Sequence, residues 1–594
     1  MSNLTDSRVA ALQDFLRREN LTGIFVPRTD FWQGEEVMPC DERLRWLTGF
    51  TGSAGYALVL QDRAALFVDG RYTLQAPAEL AGSHVEVRHV TDQPWAEWLG
   101  NAQGARLAVD GKLVTYGWAQ GIRAHLNGGE LVALDRNPVD AIWTDRPAPD
   151  FTPAEIFPLE LAGETSLSKR QRLGAELARR KLDGAFITDP TGIAWLLNIR
   201  ARDYPHTPVA LSVALLRPDG AVTWYTTPER GTTEILTHIG DKAAMLPPTH
   251  FVQNVAEFKG QALLLDEATG SLWMHDMLAG AGAKIIVDEC PTVMAKARKN
   301  PVELNGMRAA HKRDGVALAK FLAWFSRDIA PGKSALMETG VTEKLEACRA
   351  SANEYRGGSF QTICGWAASG AIVHYHTTPA TDAVVAGDSL LLLDSGGQYV
   401  DGTTDVTRTL AVGTPTDEQM RNYTLVLKGH VRLAMARFPV GASGYQLDGL
   451  ARGPLWQAGL DYDHGTGHGV GHYLSVHEVR QRISSPRRHS QATYLEPGMV
   501  ISNEPGYYKT GAYGIRIETL VAVIESDAGQ DGRKFLELET LTLSPYDRSL
   551  IVADMLTGEE RVWIDAYHAR VLRELGPLLD AETLGWLQTA CAAL

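Results

Sequence analysis

The chain has 594 residues, with 57 Lys+Arg against 71 Asp+Glu and a formal net charge of −14. Hydrophobic residues make up 44% and charged residues 22%, which is the balance of folded domains and excludes disorder; the length suffices for about three to five domains with cores of their own. The acidic balance, without a stretch of clustered Lys/Arg, argues against nucleic acid as the main partner and against docking on an anionic membrane surface.

The N-terminal segment MSNLTDSRVAALQDFLRREN lacks the basic stretch followed by an apolar core of a signal peptide, and no apolar run reaches the length of a membrane span. The five cysteines, Cys40, Cys290, Cys348, Cys364 and Cys591, are scattered, odd in number and form no C-x-x-C pair. Neither a disulfide framework nor a cysteine zinc site is expected, and reduced thiols in the cytoplasm are.

Two stretches of the first half resemble one another. RVAALQDFLRRENLTGIFVPRTD followed by RLRWLTGF is matched by KRQRLGAELARRKLDGAFITDP followed by GIAWLLNI. In each, apolar residues at helical spacing lead into a short apolar strand (GIFV, GAFI), then a Trp-Leu element and a second strand (YALVL, VALSVALL). Helix–strand alternation of this kind predicts two α/β domains of similar design. Pro-rich stretches at 144–160 and 288–303 mark their ends, giving expected domains 1–155, 156–298 and 299–594. The third opens with a long helical pattern, ELNGMRAAHKRDGVALAKFLAWF, and continues with strands rich in Gly and His. Its tail carries Ile564, Tyr567, Val571, Leu572 and Leu575 at helical spacing, which predicts a docked C-terminal helix.

Common motifs fail on single residues. APGKSA would need the first glycine of a phosphate loop at Arg327; HGTGHGVG breaks G-x-G-x-x-G; VHEVRQ has Gln481 where H-E-x-x-H needs histidine; TGSAG has Thr51 where G-x-S-x-G needs glycine. Acidic and imidazole groups instead gather in four segments of the third region. In SLLLLDSGGQYVDGTTDVTRTLAV, Asp394 ends an apolar strand and Asp405 opens the next, so a hairpin would bring the two carboxylates together, with Asp401 a turn residue. HGTGHGVGHYLSVHE supplies His464, His468, His472 and His477 among glycines that let backbone approach closely. Glu504 follows the strand MVISN, and Arg516 and Glu518 stand two apart in YGIRIETLVAVI, on one face of a strand. Any one of these has a plain structural reading as a turn, cap or packing residue. Together, four buried carboxylates cannot all stay ionised without compensation, because burying an unpaired anion costs several kcal/mol or forces protonation. Arg516, even with Arg408, cannot offset four, whereas two divalent cations with one neutral imidazole can. Oxygen and nitrogen donors without thiolate suit Mn²⁺, Co²⁺, Fe²⁺ or Zn²⁺, and paired metals activate water at neutral pH.

DSGGQYVDGTTDVTRT, HGTGHGVG, SNEPGYY and GIRIE, with MPCDERLRWLTGFTGSAG and VDGRYTLQA near the N-terminus, resemble the pita-bread metallopeptidases, and among them the three-domain Xaa-Pro aminopeptidases. The resemblance covers essentially the whole chain. It implies an α/β (α+β) fold: two creatinase-like N-terminal domains, then a pita-bread catalytic domain with a helical tail. It also implies metal ligands at Asp394, Asp405, His468, Glu504 and Glu518, with Asp405 and Glu518 bridging, Asp394 on one ion, and His468 with Glu504 on the other. The steps from Asp394 to Asp405 and from Glu504 to Glu518 match the family's spacing. Substrate-site residues map to His374, His464, His477 and Arg516; His472 stays outside the implied set. Manganese and a homodimer are common in the family.

The implied reaction is release of the first residue from peptides with proline second, by attack of a metal-bridging hydroxide on the Xaa-Pro bond. Glu504 would carry the proton, His477 and His374 would donate to the tetrahedral intermediate, and His464 would line the proline side. That bond is a tertiary amide without N–H and with fixed φ, so a rigid apolar slot suits it, with Tyr473 a lining candidate. The N-terminal domains would narrow the mouth of the site and favour short peptides; Glu35 and Glu36 are candidates there for contact with a substrate amine. A prolidase would share the five ligands but need a free carboxylate after proline. A methionine aminopeptidase would be shorter, and a creatine-hydrolysing relative would use no metal. A non-enzymatic pita-bread binding module would have lost the ligands.

Overall fold

The computed structural model describes residues 2–100, 103–485 and 492–594. The chain forms two compact units, Met1–Val293 and Met294–Leu594.

In the first unit, helix α1 (Ser2–Arg18) buries Leu12 and Leu16 against Ile24 and Val26 of the first strand. That strand, β1 (Gly23–Pro27), lies in a six-stranded sheet with β2 (Tyr56–Leu60), β3 (Ala64–Val68), β4 (Val85–His89), β5 (Arg106–Asp110) and β6 (Glu130–Leu134), in the order β4-β3-β2-β1-β5-β6. Strands β1, β2 and β3 pair antiparallel; the β3–β4, β1–β5 and β5–β6 pairs are parallel. A second sheet holds β7 (Gly184–Ile187), β8 (Val213–Leu216), β9 (Val222–Tyr225), β10 (Ala243–Leu246), β11 (Ala262–Asp266) and β12 (Lys284–Asp288). Its order, β10-β9-β8-β7-β11-β12, and the sense of every pairing repeat those of the first. The sequence repeat is therefore a repeat of topology. It extends to a matching helix stop: α2 (Arg43–Thr48) ends on Gly49 at φ +83°, while α4 (Pro190–Leu197), which follows α3 (Ser166–Arg179), ends on Asn198 at φ +51°. Glycine and asparagine are the residues that tolerate this left-handed cap.

The loop after β1 is tied to the second half of the same unit. Trp32 Nε1 donates to Ser212 O at 2.8 Å, Thr207 N donates to the Glu36 carboxylate at 2.9 Å, and the Tyr204 hydroxyl donates to buried Asp30. Burial pushes Asp30 up to about 7, against the lowering effect of that hydroxyl. Glu35 is exposed, 3.9 Å from Arg71.

In the second unit, α5 (Pro301–Asp328) starts with proline in its first turn and Asn300 as cap, closed by a capping box with Glu303. With α6 (Glu338–Arg349) it buries Leu318, Phe321, Leu322, Phe325, Val341 and Leu345 against a sheet of β13 (Ile363–Trp366), β14 (Ser389–Ser395) and β15 (Val406–Val412). The second helical layer, α7 (Asp417–Ala434) and α8 (Gly444–Trp456), packs Leu433, Leu447 and Ala451 on the second sheet. That sheet contains β16 (Arg437–Pro439), β17 (Gly467–Gly469), β18 (Glu478–Ile483), β19 (Val500–Asn503), β22 (Thr519–Ser526) and β23 (Phe535–Thr540), in the order β16-β23-β22-β19-β17-β18. A hairpin of β20 (Gly506–Lys509) and β21 (Tyr513–Arg516) lies between them in sequence. The tail forms α9 (Gly558–Leu575) and α10 (Ala581–Ala590); Ile564, Tyr567, Val571 and Leu575 are buried and Leu572 is partly buried. No helix of the described residues is long and apolar enough to cross a membrane.

Because Ile564 is fully buried in this core, Ile564→Ala should cost about 2–5 kcal/mol. The unfolding transition of the second unit, followed in urea, should move to lower denaturant; an unmoved midpoint would mean that α9 is not part of the core.

Candidate metal centre

Strands of both sheets end at one place. Asp394 is in β14 and pairs with Thr407 of β15. Asp405 stands two residues before Thr407, so the pleat points Asp394, Thr407 and Asp405 to one face. The hairpin expected from the sequence is present, and its connection carries further short pairing, Gly397–Tyr399 with Gly402–Thr403. Glu504 follows β19 and is held by its backbone N–H on Thr466 O at 2.8 Å. Arg516 and Glu518 do not share one unbroken strand. β21 ends at Arg516, Ile517 and Glu518 form a two-residue break, and β22 begins at Thr519. The chain here leaves the hairpin to join the six-stranded sheet, and the Glu518 N–H bonds to Thr407 O at 3.1 Å. Gly467 lets β17 reach the site, since a Cβ there would lie 2.0 Å from Ser502 O.

The ligand-type atoms converge. Side-chain atoms of Asp405, His468 and Glu518 lie within 4.8 Å of one another. His468 Nε2 is 3.5 Å from Asp405 Oδ2 and 3.6 Å from Glu504 Oε1. Its Nδ1 is 2.9 Å from Gly469 O; a carbonyl only accepts, so Nδ1 carries the proton and Nε2 faces the carboxylates. Arg516 Nη2 donates to Asp394 Oδ2 at 2.6 Å and Nη1 to the Tyr508 hydroxyl at 2.8 Å. Thr407 Oγ1 donates to Glu518 Oε2 at 2.8 Å, and Ser502 Oγ to Glu504 Oε1 at 3.1 Å.

Three carboxylate oxygens, Asp394 Oδ1, Asp405 Oδ1 and Glu518 Oε1, are buried with no hydrogen-bond partner among the described residues. Buried polar atoms are otherwise nearly always satisfied. Burial, opposed by Arg516 and reinforced by Asp405, pushes Asp394 up to about 6. Burial and the charges of Asp405, Glu504 and Asp394 hold Glu518 well above the usual carboxylate range, and burial raises Glu504. Burial opposes a charge on His468, but the hydrogen bond to Asp405 and the charge of Glu504 win and push it up to about 9. Open oxygen and nitrogen donors in an excess of negative charge are the donor set of hard or borderline divalent cations. Asp394, Asp405, His468, Glu504 and Glu518 could hold such ions.

The other expected residues surround this cluster. The His477 ring meets His468 edge-on, centroids 4.3 Å apart. His464 Nε2 is 2.8 Å from the Tyr508 hydroxyl, and its Nδ1 is 3.9 Å from Glu504 Oε2. His374 lies in the turn after Val373, whose carbonyl is 3.4 Å from Arg516 Nη1. His472 and Tyr473 are buried, Tyr473 at φ +49°. Asp401 is a turn residue paired with Arg313. Arg408 bonds backbone carbonyls, not the cluster. Tyr508 and Thr407 escaped the sequence reading. Thr407 could have been found as the face-mate of Asp405; nothing local marks Tyr508, because its partners come from β17's approach loop and from β21.

Residues 305–525 match metallopeptidase family M24, and residues 534–594 match the C-terminal region of peptidase M24. Residues 8–142 and 145–303 match two creatinase/prolidase N-terminal domain families. The chain is 37% identical to a probable Xaa-Pro aminopeptidase P of Fusarium vanettenii, over 99% of this chain and 99% of that one. It is also 37% identical to a probable Xaa-Pro aminopeptidase P of Talaromyces marneffei, over 98% and 92%. A crystal structure of X-prolyl aminopeptidase from Caenorhabditis elegans, described as a cytosolic enzyme with a di-nuclear active site, superposes with a TM-score of 0.94 at 31% identity, covering 99% of this chain and 100% of that one.

The raised carboxyl of Asp394 fixes a sign. Its folded value of about 6 stands above the ordinary 3.8, so its contribution to stability is complete below the unfolded value and is lost as pH rises through about 6. In chelator-stripped protein, Asp394→Asn should therefore gain stability relative to the parent as pH rises from about 4 to about 6. Urea midpoints of the two proteins would show it; a constant difference across that window would contradict it.

Proposed function

The chain belongs to metallopeptidase family M24, and from the geometry of its site we propose that it is a metal-dependent aminopeptidase acting on peptides with proline in the second position. The observation that carries this reading is the grouping of ligand atoms of Asp405, His468 and Glu518 within 4.8 Å of one another, together with buried, partnerless oxygens on Asp394, Asp405 and Glu518, in a chain alike along its full length to Xaa-Pro aminopeptidases. Asp394, Asp405, His468, Glu504 and Glu518 are the proposed ligands of two divalent cations, Asp405 and Glu518 shared between them. Bound there, the cations supply Lewis acidity and an acidified water.

The remaining work falls to side chains of this chain. Glu504 takes the water's proton and returns it to the proline nitrogen as the bond breaks. His477, against the His468 ring, donates to the developing oxyanion, with His374 as second donor. Arg516 holds Asp394 and, through Tyr508, steadies His464 on the proline side. The departing nitrogen has no N–H, so specificity rests on apolar shape and on recognition of the free amine. We further propose Mn²⁺ as the preferred ion (Zn²⁺ or Co²⁺ also fit the donors), a homodimer, and a cytoplasmic setting. The buried free thiols Cys40, Cys290, Cys364 and Cys591 fit a reducing compartment.

Chelator-stripped protein, with and without added Mn²⁺, should be offered a tripeptide X-Pro-Pro, its N-acetylated form and the dipeptide X-Pro. Release of X from the free tripeptide only, and only with metal, is expected. Preference for the dipeptide would make the protein a prolidase, and no cleavage with metal bound would refute the substrate class. In the same assay His477→Ala should lower kcat about 10²–10³-fold, while His464→Ala should act mainly on KM.

A further inference from the structure

One buried cation has no part in this chemistry. Arg408 follows Thr407 in β15, so its side chain leaves the opposite face of the sheet. Only 3% of it is exposed, and among the described residues it makes no ion pair with a carboxylate. Its donors go to carbonyls instead. Nη1 bonds Thr407 O at 2.9 Å and Glu518 O at 2.6 Å; Nε bonds Pro545 O at 3.1 Å; Nη2 bonds Ser544 O at 2.7 Å and reaches the Tyr567 hydroxyl at 3.4 Å. The guanidinium also lies over the Tyr546 ring, 4.9 Å from its centroid. The Tyr567 hydroxyl, on α9, donates to Ser544 O at 2.9 Å or Thr542 O at 3.0 Å and accepts from Ser544 N at 3.2 Å.

Placement makes this more than anchoring. Glu518 sits in the break between β21 and β22, where no continuous ladder fixes its backbone. Its N–H is taken by Thr407 O, and its C=O by the guanidinium that also holds Thr407 O. Asp405 is two residues from Thr407. One planar, five-donor group thus sets the spacing between the backbones that carry Asp405 and Glu518, and its far side reaches the Tyr567 hydroxyl of α9.

We propose that Arg408 and Tyr567 are positioning residues for the metal pair, so that the docked helix α9 is a working part of the metal centre. The inference rests on the reading of Asp405 and Glu518 as shared ligands. Supporting groups of this kind change metal affinity by about 10–100-fold when removed.

The test is Mn²⁺ titration by calorimetry into chelator-stripped, full-length protein, beside the thermal transition of the metal-free form. Arg408→Lys keeps the charge but loses the fork, and should weaken Mn²⁺ binding about 10-fold or more. Tyr567→Phe removes one hydroxyl and should weaken binding in the same direction by less, with its metal-free transition lowered by the loss of buried hydrogen bonds. Parental Mn²⁺ affinity in both variants would overturn the inference, even if their thermal transitions fell. Glu518→Gln separates the two levels. If it abolishes tight binding while both variants bind normally, the positioning role alone fails. If it binds Mn²⁺ as the parent does, the ligand assignment fails and the inference with it.

Discussion

Negative charge is concentrated where it is least welcome. Asp394, Asp405 and Glu518 are buried in the second unit beside the partly exposed Glu504, and three of their oxygens have no hydrogen-bond partner among the described residues. Arg516 and a protonated His468 answer part of that charge; the rest is left as raised carboxyl pKa values. A core of apolar residues could not tolerate such a cluster without compensation. Cations of charge +2 would resolve it, and the electrostatic imbalance that burdens the metal-free chain would become metal affinity.

The architecture serves that cluster. The three-stranded sheet delivers the aspartates from a hairpin, and the six-stranded sheet delivers His468 and Glu504 from neighbouring strands. The break at Ile517–Glu518 lets one segment leave a hairpin and enter a sheet while presenting Arg516 and Glu518 to the same cavity. Helices α5 to α8 cover the outer faces, and their cores involve none of the five proposed ligands. Packed cores thus frame the cluster, as a site that must hold two ions at fixed spacing requires.

Much of this was legible in the sequence, for physical reasons. A carboxylate at the end of a wholly apolar strand, as at Asp394, is an anomaly that local reading detects. Glycine-flanked histidines signal close backbone approach, and Gly467 against Ser502 O is that approach. The repeat in the first half was visible because the two sheets share strand order and pairing sense, down to the Gly49 and Asn198 helix stops. What escaped depends on partners far away in sequence. Tyr508 matters through Arg516 and His464, and Arg408 through Glu518, Ser544 and Pro545. The break after Arg516 was hidden because Ile517 and its neighbours read as one apolar alternation. Glu36, a candidate for contact with a substrate amine, accepts from Thr207 N of its own unit.

The central claim is that the buried charge cluster is a seat for two cations. Anomalous diffraction from crystals equilibrated with Mn²⁺ addresses it most directly. Two peaks about 3.5–4 Å apart, both within bonding distance of Asp405 and Glu518, with Asp394 on one and His468 and Glu504 on the other, are expected. A single peak, or density away from these five side chains, would contradict it.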